Sequence, residues 1–292
     1  ALTIDAVSHE PRQACALTLT RLQAIDHVDG TYAALHWRGD CQSPPEQLAV
    51  NYEFLFDRDP SHHGLLRLEQ GDDTLTAVFS NQHRNQRMGA DAGSQWQAFQ
   101  GFIRQGVHHI LIGYDHILFL LTLLFPAVLV WQRGAWQPAP TMRGALTQTL
   151  AIVTAFTVTH SLTLALATLG IITLPAWLVE SAIALTVALG AAANLLPGLF
   201  PKRWIMAFVF GLVHGLGFAS VLADLGLMGD GIVLPLLGFN IGVELGQIAI
   251  VLLFVPLAYL ARDTALYKRV FVPVGSVAIM VLAGVWLVER LS

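Results

Sequence analysis

Residues 106–125 read GVHHILIGYDHILFLLTLLF, an apolar run interrupted by three histidines and one aspartate. A run of this length is long enough to cross the hydrocarbon core of a bilayer, which is about 30 Å thick. Titratable side chains are costly inside such a run unless they are paired, so each of them is a functional hypothesis. The run therefore predicts a membrane helix that carries part of a polar site.

The rest of the chain divides into two parts that face different solvents. Residues 1–100 hold 13 acidic and 7 basic residues, a net charge of −6. Residues 101–292 hold 7 acidic and 9 basic residues, a net charge of +2, and are strongly apolar. Six apolar stretches of this second part are long enough to cross a bilayer, near residues 107–131, 144–169, 174–197, 204–223, 232–260 and 270–288. We therefore predict an all-α, six-helix transmembrane bundle over residues 107–292.

The polar first 97 residues have the pattern of short strands separated by turn residues. The predicted strands are Leu2–Val7, Ala16–Ile25, Tyr32–Trp37, Leu48–Phe56, Gly64–Gln70 and Thr74–Ser80. About six strands in fewer than 100 residues are typical of a small β-sandwich. We expect this domain to be joined to the membrane part by an interfacial linker at residues 98–106.

Both cysteines of the chain, Cys15 and Cys41, lie in this polar domain. Such a pair favours a disulfide, which forms in an oxidising compartment. Two free, buried thiols are the alternative.

The chain begins at Ala1 without an initiator methionine, which favours a mature, exported protein whose signal peptide has been removed.

Basic residues in the predicted loops indicate an orientation. If the N-terminal domain is outside, the only basic residue at the outer surface beyond span one is Arg290. The inner loops then hold seven basic residues, namely Arg133, Arg143, Lys202, Arg203, Arg262, Lys268 and Arg269. Because basic residues concentrate in cytoplasmic loops, we expect a bacterial inner-membrane protein whose N-terminal domain and C-terminus are periplasmic.

Polar residues within the spans are predicted to form one site that opens outward. At about 1.5 Å per residue, His116, His160 and His214 lie roughly 13–15 Å from the outer ends of their spans, and Glu244 roughly 18 Å. The predicted metal ligands are His109, Asp115, His116, His160, His214 and Glu244. Five more polar residues are expected at the entrance or around the ligands, namely His108, Glu180, Asn240, Gln247 and Ser161.

Taken alone, an intramembrane histidine is more often an interhelical hydrogen-bond partner than a ligand. Three imidazoles at matched depth, together with carboxylates, favour a metal site instead. A set of imidazoles and carboxylates suits a divalent transition metal such as Ni, Co, Zn or Fe, whereas the lack of cysteine in the membrane part and of a clear set of methionine ligands argues against Cu(I). Gly211 and Gly215 are four residues apart and predict a face where a neighbouring helix can approach His214 closely.

The same residues resemble the HupE/UreJ family of membrane proteins. The resemblance rests on residues 106–121, 154–163, 210–219 and 239–247 and covers the membrane part of the chain. It implies a nickel or cobalt permease of the kind associated with hydrogenase and urease. It assigns the family's pattern of His, five residues and then Asp-His to His109, Asp115 and His116, and a later histidine to His214.

Three functions remain open from the sequence. A permease for a divalent metal is the first. The second is an intramembrane zinc hydrolase that acts on lipid or membrane-embedded substrates, with Glu244 or Asp115 as general base. The third is a metal-binding sensor or accessory protein, in which the N-terminal domain recruits a periplasmic protein. The expected partners are the lipid bilayer and a metal ion, and nucleic acid is not among them.

Overall fold

The computed structural model describes residues 2–6, 13–27, 30–41, 47–59, 62–70, 73–89, 92–197, 202–217 and 233–291. Contacts among Cα atoms divide the chain into two compact units. The first unit falls within residues 1–105 and 221–239, and the second falls within residues 106–220 and 240–292.

The first unit contains eight described strands. They are β1 (Leu2–Ala6), β2 (Gln13–Ala14), β3 (Ala16–His27), β4 (Gly30–Asp40), β5 (Gln47–Tyr52), β6 (His63–Gln70), β7 (Asp73–Ser80) and β8 (Asn85–Gly89). Among the described strands, one antiparallel sheet has the order β2-β1-β5-β8, and two further two-stranded sheets pair β3 with β4 and β6 with β7. These sheets agree with the six predicted strands, but the predicted β-sandwich is not confirmed.

Alternate side chains along the strands of the four-stranded sheet are buried, which explains how one face of the sheet packs on the core. Leu48 and Val50 of β5 point into a core that also contains Ile4 of β1 and Met88 of β8. Phe79 of β7 is completely buried in the same core. Strand β8 was missed because its sequence, NQRMG, contains a single apolar side chain to indicate burial.

The predicted disulfide is confirmed, since Cys15 and Cys41 are bonded to each other. The bond ties the residue that precedes β3 to the residue that follows β4, so it closes the base of this long hairpin. It agrees with an oxidising compartment for this part of the chain.

The remaining described elements are mostly helical. They are α1 (Ala92–Ile112), α2 (Tyr114–Leu124), β9 (Leu129–Gln132), β10 (Ala135–Pro138), α3 (Met142–Thr168), α4 (Ala176–Leu195), α5 (Arg203–Gly217), α6 (Val233–Ala261), a π-helical turn (Tyr267–Phe271) and α7 (Val272–Leu291). Residues 98–106, which we expected to be a linker, are helical and lie inside α1.

The described helices give fewer candidate spans than predicted. Four helical stretches are long and apolar enough to cross a membrane, namely 142–168, 176–195, 233–261 and 267–291. A fifth is formed if α1 and α2 together count as one bent span. Helix α5 has only 15 residues, and the rest of the predicted fourth span, 218–223, lies outside the described residues. The chain therefore has four or five candidate spans in its described part, and the count of six is not confirmed.

The first predicted span, a single helix over 107–131, is wrong. The chain bends by 70° between α1 and α2, where Gly113 adopts an extended conformation (φ −68°, ψ 99°). A Cβ atom at Gly113 would lie 2.7 Å from the carbonyl oxygen of His109 and 3.3 Å from His116 Nδ1. The break therefore needs a residue without a side chain, and glycine provides it.

The end of the same predicted span forms a hairpin instead of a helix. Helix α2 ends just before Pro126, whose nitrogen cannot continue the helical hydrogen bonds. Strands β9 and β10 are joined by Arg133 and Gly134, which both have positive φ angles (52° and 76°). This is the geometry of a type I′ turn, which matches the twist of a hairpin.

Helices α3 and α5 pack closely through small residues, as the sequence predicted. A Cβ atom on Gly211 would collide with Thr159 Oγ1 and the backbone of Phe156, and one on Gly215 with Thr163 Oγ1. Thr159 Oγ1 lies 2.8 Å from the carbonyl oxygen of Phe208, a contact that joins the two helices. This packing determines how closely the histidines on these two helices can approach each other.

Candidate metal centre

Three imidazole rings surround that of His116 in the second unit, so four rings from four helices form one cluster. The ring centroid of His116 lies 4.7 Å from that of His109, 5.3 Å from that of His214 and 5.7 Å from that of His160. These histidines come from α1, α2, α3 and α5. All four are buried, with His160 fully so. The structure thus brings together in one cluster all four histidines that the sequence suggested as ligands.

The bend at Gly113 brings His109 and His116 together. In a continuous helix, residues seven positions apart are separated by about 10 Å along the axis. The observed separation of 4.7 Å between the two rings is possible because α2 turns away from the direction of α1. The sequence assigned both residues to one metal site, but their close contact depends on the break.

Asp115 orients the imidazole of His116. The Nδ1 atom of His116 lies 3.0 Å from Asp115 Oδ1, the distance of a hydrogen bond in which the ring N–H donates to the carboxylate. This arrangement leaves Nε2 of His116 as the nitrogen with a lone pair. That atom is buried and has no hydrogen-bond partner among the described residues.

Thr186 orients the imidazole of His214 in a similar way. The hydroxyl of Thr186 donates to the carbonyl oxygen of Ile183 at 2.7 Å, which uses its only proton. It must therefore accept a hydrogen bond from His214 Nε2, which lies 2.8 Å away. The lone pair of His214 is then on Nδ1, which is buried and without a hydrogen-bond partner in the described part of the chain.

The donor atoms are spaced as a metal site requires. Asp115, His116 and His214 each offer a ligand atom, and these atoms all lie within 4.8 Å of one another. His160 adds two buried ring nitrogens that have no hydrogen-bond partner among the described residues. Nitrogen and carboxylate ligands that surround one small volume fit a divalent transition metal.

Aromatic side chains form an apolar wall beside the imidazoles. The ring of Phe119 lies 5.2 Å from that of His214, and the ring of Phe156 lies 5.3 Å from it. Phe210 packs 5.8 Å from Phe119, and all three phenylalanines are buried. This wall (Phe119, Phe156 and Phe210) excludes water from one side of the cluster and lowers the local dielectric constant, which strengthens interactions with an ion.

Two predicted site residues, Glu244 and Gln247, lie on α6 and contact α3. Thr154 Oγ1 donates to Glu244 Oε1 at 2.5 Å, and Thr157 Oγ1 lies 2.7 Å from Gln247 Oε1. Glu244 is not part of the group of ligand atoms that lie within 4.8 Å of one another. The structure therefore places Glu244 and Gln247 at the contact between α3 and α6.

The other residues expected around the site have different positions. Glu180 forms an ion pair with Arg290, with 3.3 Å between the charged atoms. Ser161 donates to the carbonyl oxygen of Thr157 at 2.7 Å, within its own helix. His108 on α1 and Asn240 on α6 are half-buried. The Glu180–Arg290 pair joins the start of α4 to the end of α7, so these two helix ends lie on the same side of the bundle.

Sequence reasoning missed the role of Gly113 and the contact between Thr186 and His214. Gly113 lies inside an apolar run that continues on both sides of it. The glycine itself, between Ile112 and Tyr114, is the one weak signal of a break. Thr186 lies 28 residues before its partner His214, and no local pattern connects the two.

The fold and the cluster define a class of protein: a polytopic membrane protein whose helices enclose a group of imidazoles and a carboxylate. A family model with the description HupE / UreJ protein matches residues 84–290. Because this match covers more than half of the chain, the chain belongs to the HupE/UreJ family. No curated protein and no solved structure matches the chain.

Proposed function

We propose that this protein binds a divalent transition metal, of the nickel or cobalt type, inside the membrane and moves it across. The proposed ligands are His109, Asp115, His116, His160 and His214. The family supports a role in metal handling, and the donor set supports the class of ion.

One observation carries the proposal: two imidazoles are oriented before any ion arrives. Asp115 leaves Nε2 of His116 free, and Thr186 leaves Nδ1 of His214 free. Partners that fix the tautomer and the ring orientation of a histidine are typical of metal sites, where they raise affinity. A purely structural polar network would instead pair these nitrogens with other groups, because buried polar atoms without partners are costly.

The surroundings of the cluster favour alternating access over an open channel. The aromatic wall of Phe119, Phe156 and Phe210 packs against the imidazoles. Farther along α2, Asn194 Nδ2 donates to the carbonyl oxygen of Thr122 at 2.9 Å, and Arg203 donates to Asn194 Oδ1 at 3.1 Å. A cation that leaves the cluster past Thr122 would first meet the aromatic wall and then the positively charged guanidinium of Arg203. Release on that side requires the wall to move.

The expected location follows from the membrane helices and the disulfide. Four candidate spans support an integral membrane protein, and the Cys15–Cys41 bond supports an oxidising compartment for the N-terminal unit. We propose a bacterial inner membrane, with the N-terminal domain and the C-terminus in the periplasm. In this orientation, the domain is available to a periplasmic protein partner.

An intramembrane zinc hydrolase is the alternative, and the burial of the cluster is the observation that favours it. A closed, dry site with four imidazoles would hold Zn²⁺ tightly. However, Asp115 is already engaged with His116. The enzyme would therefore depend on Glu244 as its general base, through the Oε2 atom that has no hydrogen-bond partner among the described residues.

Metal analysis and uptake by the purified, full-length chain test the proposal. We expect wild-type protein to bind Ni²⁺ or Co²⁺ and, in proteoliposomes, to load radioactive ion into the vesicle. His116→Ala should lose both binding and uptake. His36→Ala is the matched control, because His36 is an exposed histidine on β4. Tightly held Zn²⁺ without uptake of any ion would indicate the hydrolase, and failure to bind any transition metal would overturn the proposal.

A further inference from the structure

One end of the membrane bundle carries nearly all of its basic residues. The segments that join the helices there, 125–143, 195–203 and 261–272, contain one acid, Asp263, and seven basic residues, namely Arg133, Arg143, Lys202, Arg203, Arg262, Lys268 and Arg269. Side-chain contacts hold these segments together, since Asn194 near the end of α4 donates to Ser276 Oγ near the start of α7 at 3.2 Å. Tyr259 near the end of α6 donates to the carbonyl oxygen of Pro140, just before α3, at 3.2 Å. We call this region the basic end.

Arg203 is the basic residue of this region whose guanidinium has no acid beside it, although part of it is buried. Its Nη2 atom donates to Asn194 Oδ1 at 3.1 Å, and its Cζ atom lies 5.5 Å from the centre of the Trp136 ring. Its Nη1 atom is buried and has no hydrogen-bond partner among the described residues. In the part of the chain that the structure describes, no acid forms an ion pair with Arg203. The positive charge is therefore in contact with a neutral amide and an aromatic ring only.

A guanidinium in such surroundings is unfavourable without an anion. Removal of a charge from water costs several kcal/mol, and one neutral hydrogen bond and one cation–π contact offset only part of this cost. Arg262, at the same end of the bundle, has a complete set of contacts. Its Cζ atom lies 3.6 Å from the centre of the Tyr259 ring, and its Nη2 atom lies 3.4 Å from Asp263 Oδ2. Arg203 has the aromatic ring but lacks the acid, so an anion from outside the chain would complete its contacts.

A role in anchoring the helix alone does not explain this arrangement. An arginine that anchors a membrane helix extends its charged group into water while its apolar stem stays against the protein. Nη1 of Arg203 is instead buried. The guanidinium is held there from two sides, by Asn194 on α4 and by Trp136 on the β9–β10 hairpin. Such a fixed donor group is suited to binding an anion.

The tryptophans around Arg203 indicate which anion is present at this level. Trp131 and Trp136 face each other across the β9–β10 hairpin, with their ring centroids 5.3 Å apart. Trp131 is 43% exposed, and Trp204, which follows Arg203, is 53% exposed. Exposed tryptophans at the ends of membrane helices lie at the level of the lipid headgroups. The anionic group that lipids carry at this level is phosphate.

We propose that Arg203 binds a phosphate group, of the kind carried by an anionic lipid headgroup, at the basic end of the bundle. Nη1 has two N–H groups to donate, and phosphate oxygens form strong, charge-assisted hydrogen bonds with a guanidinium. Lys202 is exposed and adjacent, so it adds positive charge beside the site. Basic pockets between membrane helices are known to hold anionic headgroups in this way. The inference does not depend on the proposed function, because it involves none of the proposed metal ligands.

The test measures lipid binding by the purified, full-length chain in detergent. Dioleoyl phosphatidylglycerol should bind to the wild type, and Arg203→Gln should weaken this binding by roughly 10- to 100-fold, as expected when hydrogen bonds from a charged donor are lost. Dioleoylglycerol has the same acyl chains without the phosphate, and it should bind equally to both proteins. Native mass spectrometry at increasing lipid concentrations measures the dissociation constants.

Arg262→Gln is the matched control. Arg262 lies at the same end and contacts an aromatic ring, but it already pairs with Asp263. This variant should bind phosphatidylglycerol with the affinity of the wild type. If Arg203→Gln does not fold, Arg203→Lys replaces it, because lysine keeps the charge but offers a single nitrogen in place of the planar fork. Arg203→Lys should bind phosphatidylglycerol more weakly than the wild type.

Inorganic phosphate distinguishes the two sources of this anion. If phosphatidylglycerol raises the midpoint of thermal unfolding of the wild type but not of Arg203→Gln, and inorganic phosphate does not, the ligand is a lipid headgroup. If inorganic phosphate raises the midpoint with the same dependence on Arg203, the site takes free phosphate. Both results support a phosphate site at Arg203.

Two results would overturn the inference. Equal affinities of the wild type and a folded Arg203 variant for phosphatidylglycerol, together with no effect of inorganic phosphate, would show that Arg203 binds no phosphate. Equal weakening by Arg203→Gln and Arg262→Gln would mean that the lipid responds only to the total charge of the basic end. By contrast, absence of Ni²⁺ and Co²⁺ binding by the wild type would overturn the proposed function and leave this inference unchanged.

Discussion

The imidazole rings of His109 and His116 lie 4.7 Å apart, although the two residues are seven positions apart in the chain. A straight helix would separate them by about 10 Å along its axis. The difference is produced by Gly113, at which the chain turns by 70°. The donor set of this protein is therefore created by a break in a membrane helix, and irregular backbone of this kind occurs at membrane depth where it lines a site.

Substitution of Gly113 should weaken metal binding. In Gly113→Ala, the new Cβ atom would lie 2.7 Å from the carbonyl oxygen of His109, so the backbone between the two histidines must shift. We expect the affinity for Ni²⁺ or Co²⁺ to fall by roughly 10-fold or more, as when groups that orient ligands are displaced. Titration against a competing chelator measures this. Gly284→Ala is the control, because a Cβ atom there meets nothing within 4 Å. Equal affinities for Gly113→Ala and wild type would contradict the role of the break.

Thr186 should act on the metal through His214. Thr186→Val removes the acceptor of the hydrogen bond from His214 Nε2, so the ring is no longer held in the tautomer that frees Nδ1. We expect the affinity for the metal to fall by about 10- to 100-fold. Thr186→Ser keeps a hydroxyl and should restore most of the affinity. If serine and valine at this position had the same effect, the contribution of Thr186 would be packing alone.

Asp115 should have a larger effect than Thr186, because its carboxylate both orients His116 and supplies negative charge next to the donor atoms. Asp115→Asn retains the shape of the side chain but removes the charge. We expect a loss of affinity of about 100-fold, at the upper end of such effects. Asp263→Asn, a change at an exposed acid that pairs with Arg262, should leave binding unchanged. Wild-type affinity in Asp115→Asn would argue against a charged donor at the site.

The close approach of α3 and α5 should limit the size of residue 215. Gly215→Val would force side-chain atoms against Thr163 Oγ1 and the backbone of His160. We expect a loss of stability of about 1–3 kcal/mol, the usual cost of overpacking. Thermal unfolding in detergent measures the change, with Gly284→Ala as the control again. A variant at position 215 as stable as wild type would mean that the two helices can separate at little cost.

Much of this arrangement could be predicted from the sequence because the signals are local. The length of the apolar runs indicated membrane helices, and two cysteines within one polar domain indicated the bond between Cys15 and Cys41. Histidines at matched depth in different runs suggested one shared cluster, and the four imidazoles do lie together around His116. The spacing of Gly211 and Gly215 was enough to indicate a close helix contact.

The remaining features depend on contacts between distant parts of the chain. The sequence assigned Asn240, Glu244 and Gln247 to the site or its surroundings, but it did not specify which neighbours they would contact. In the structure, Glu244 and Gln247 contact two threonines on α3, Thr154 and Thr157. The break at Gly113 was also not predictable from periodicity, because apolar residues continue on both sides of it.

The central claim is that His116 and the imidazoles around it bind a transition metal within the membrane domain. X-ray absorption spectroscopy of the Ni²⁺- or Zn²⁺-loaded, full-length protein tests it most directly. We predict a shell of about three or four imidazole nitrogens at roughly 2.1 Å, with one carboxylate oxygen, and loss of this shell in His116→Ala. A shell of oxygens without imidazole scattering, or a spectrum unchanged by His116→Ala, would contradict the claim.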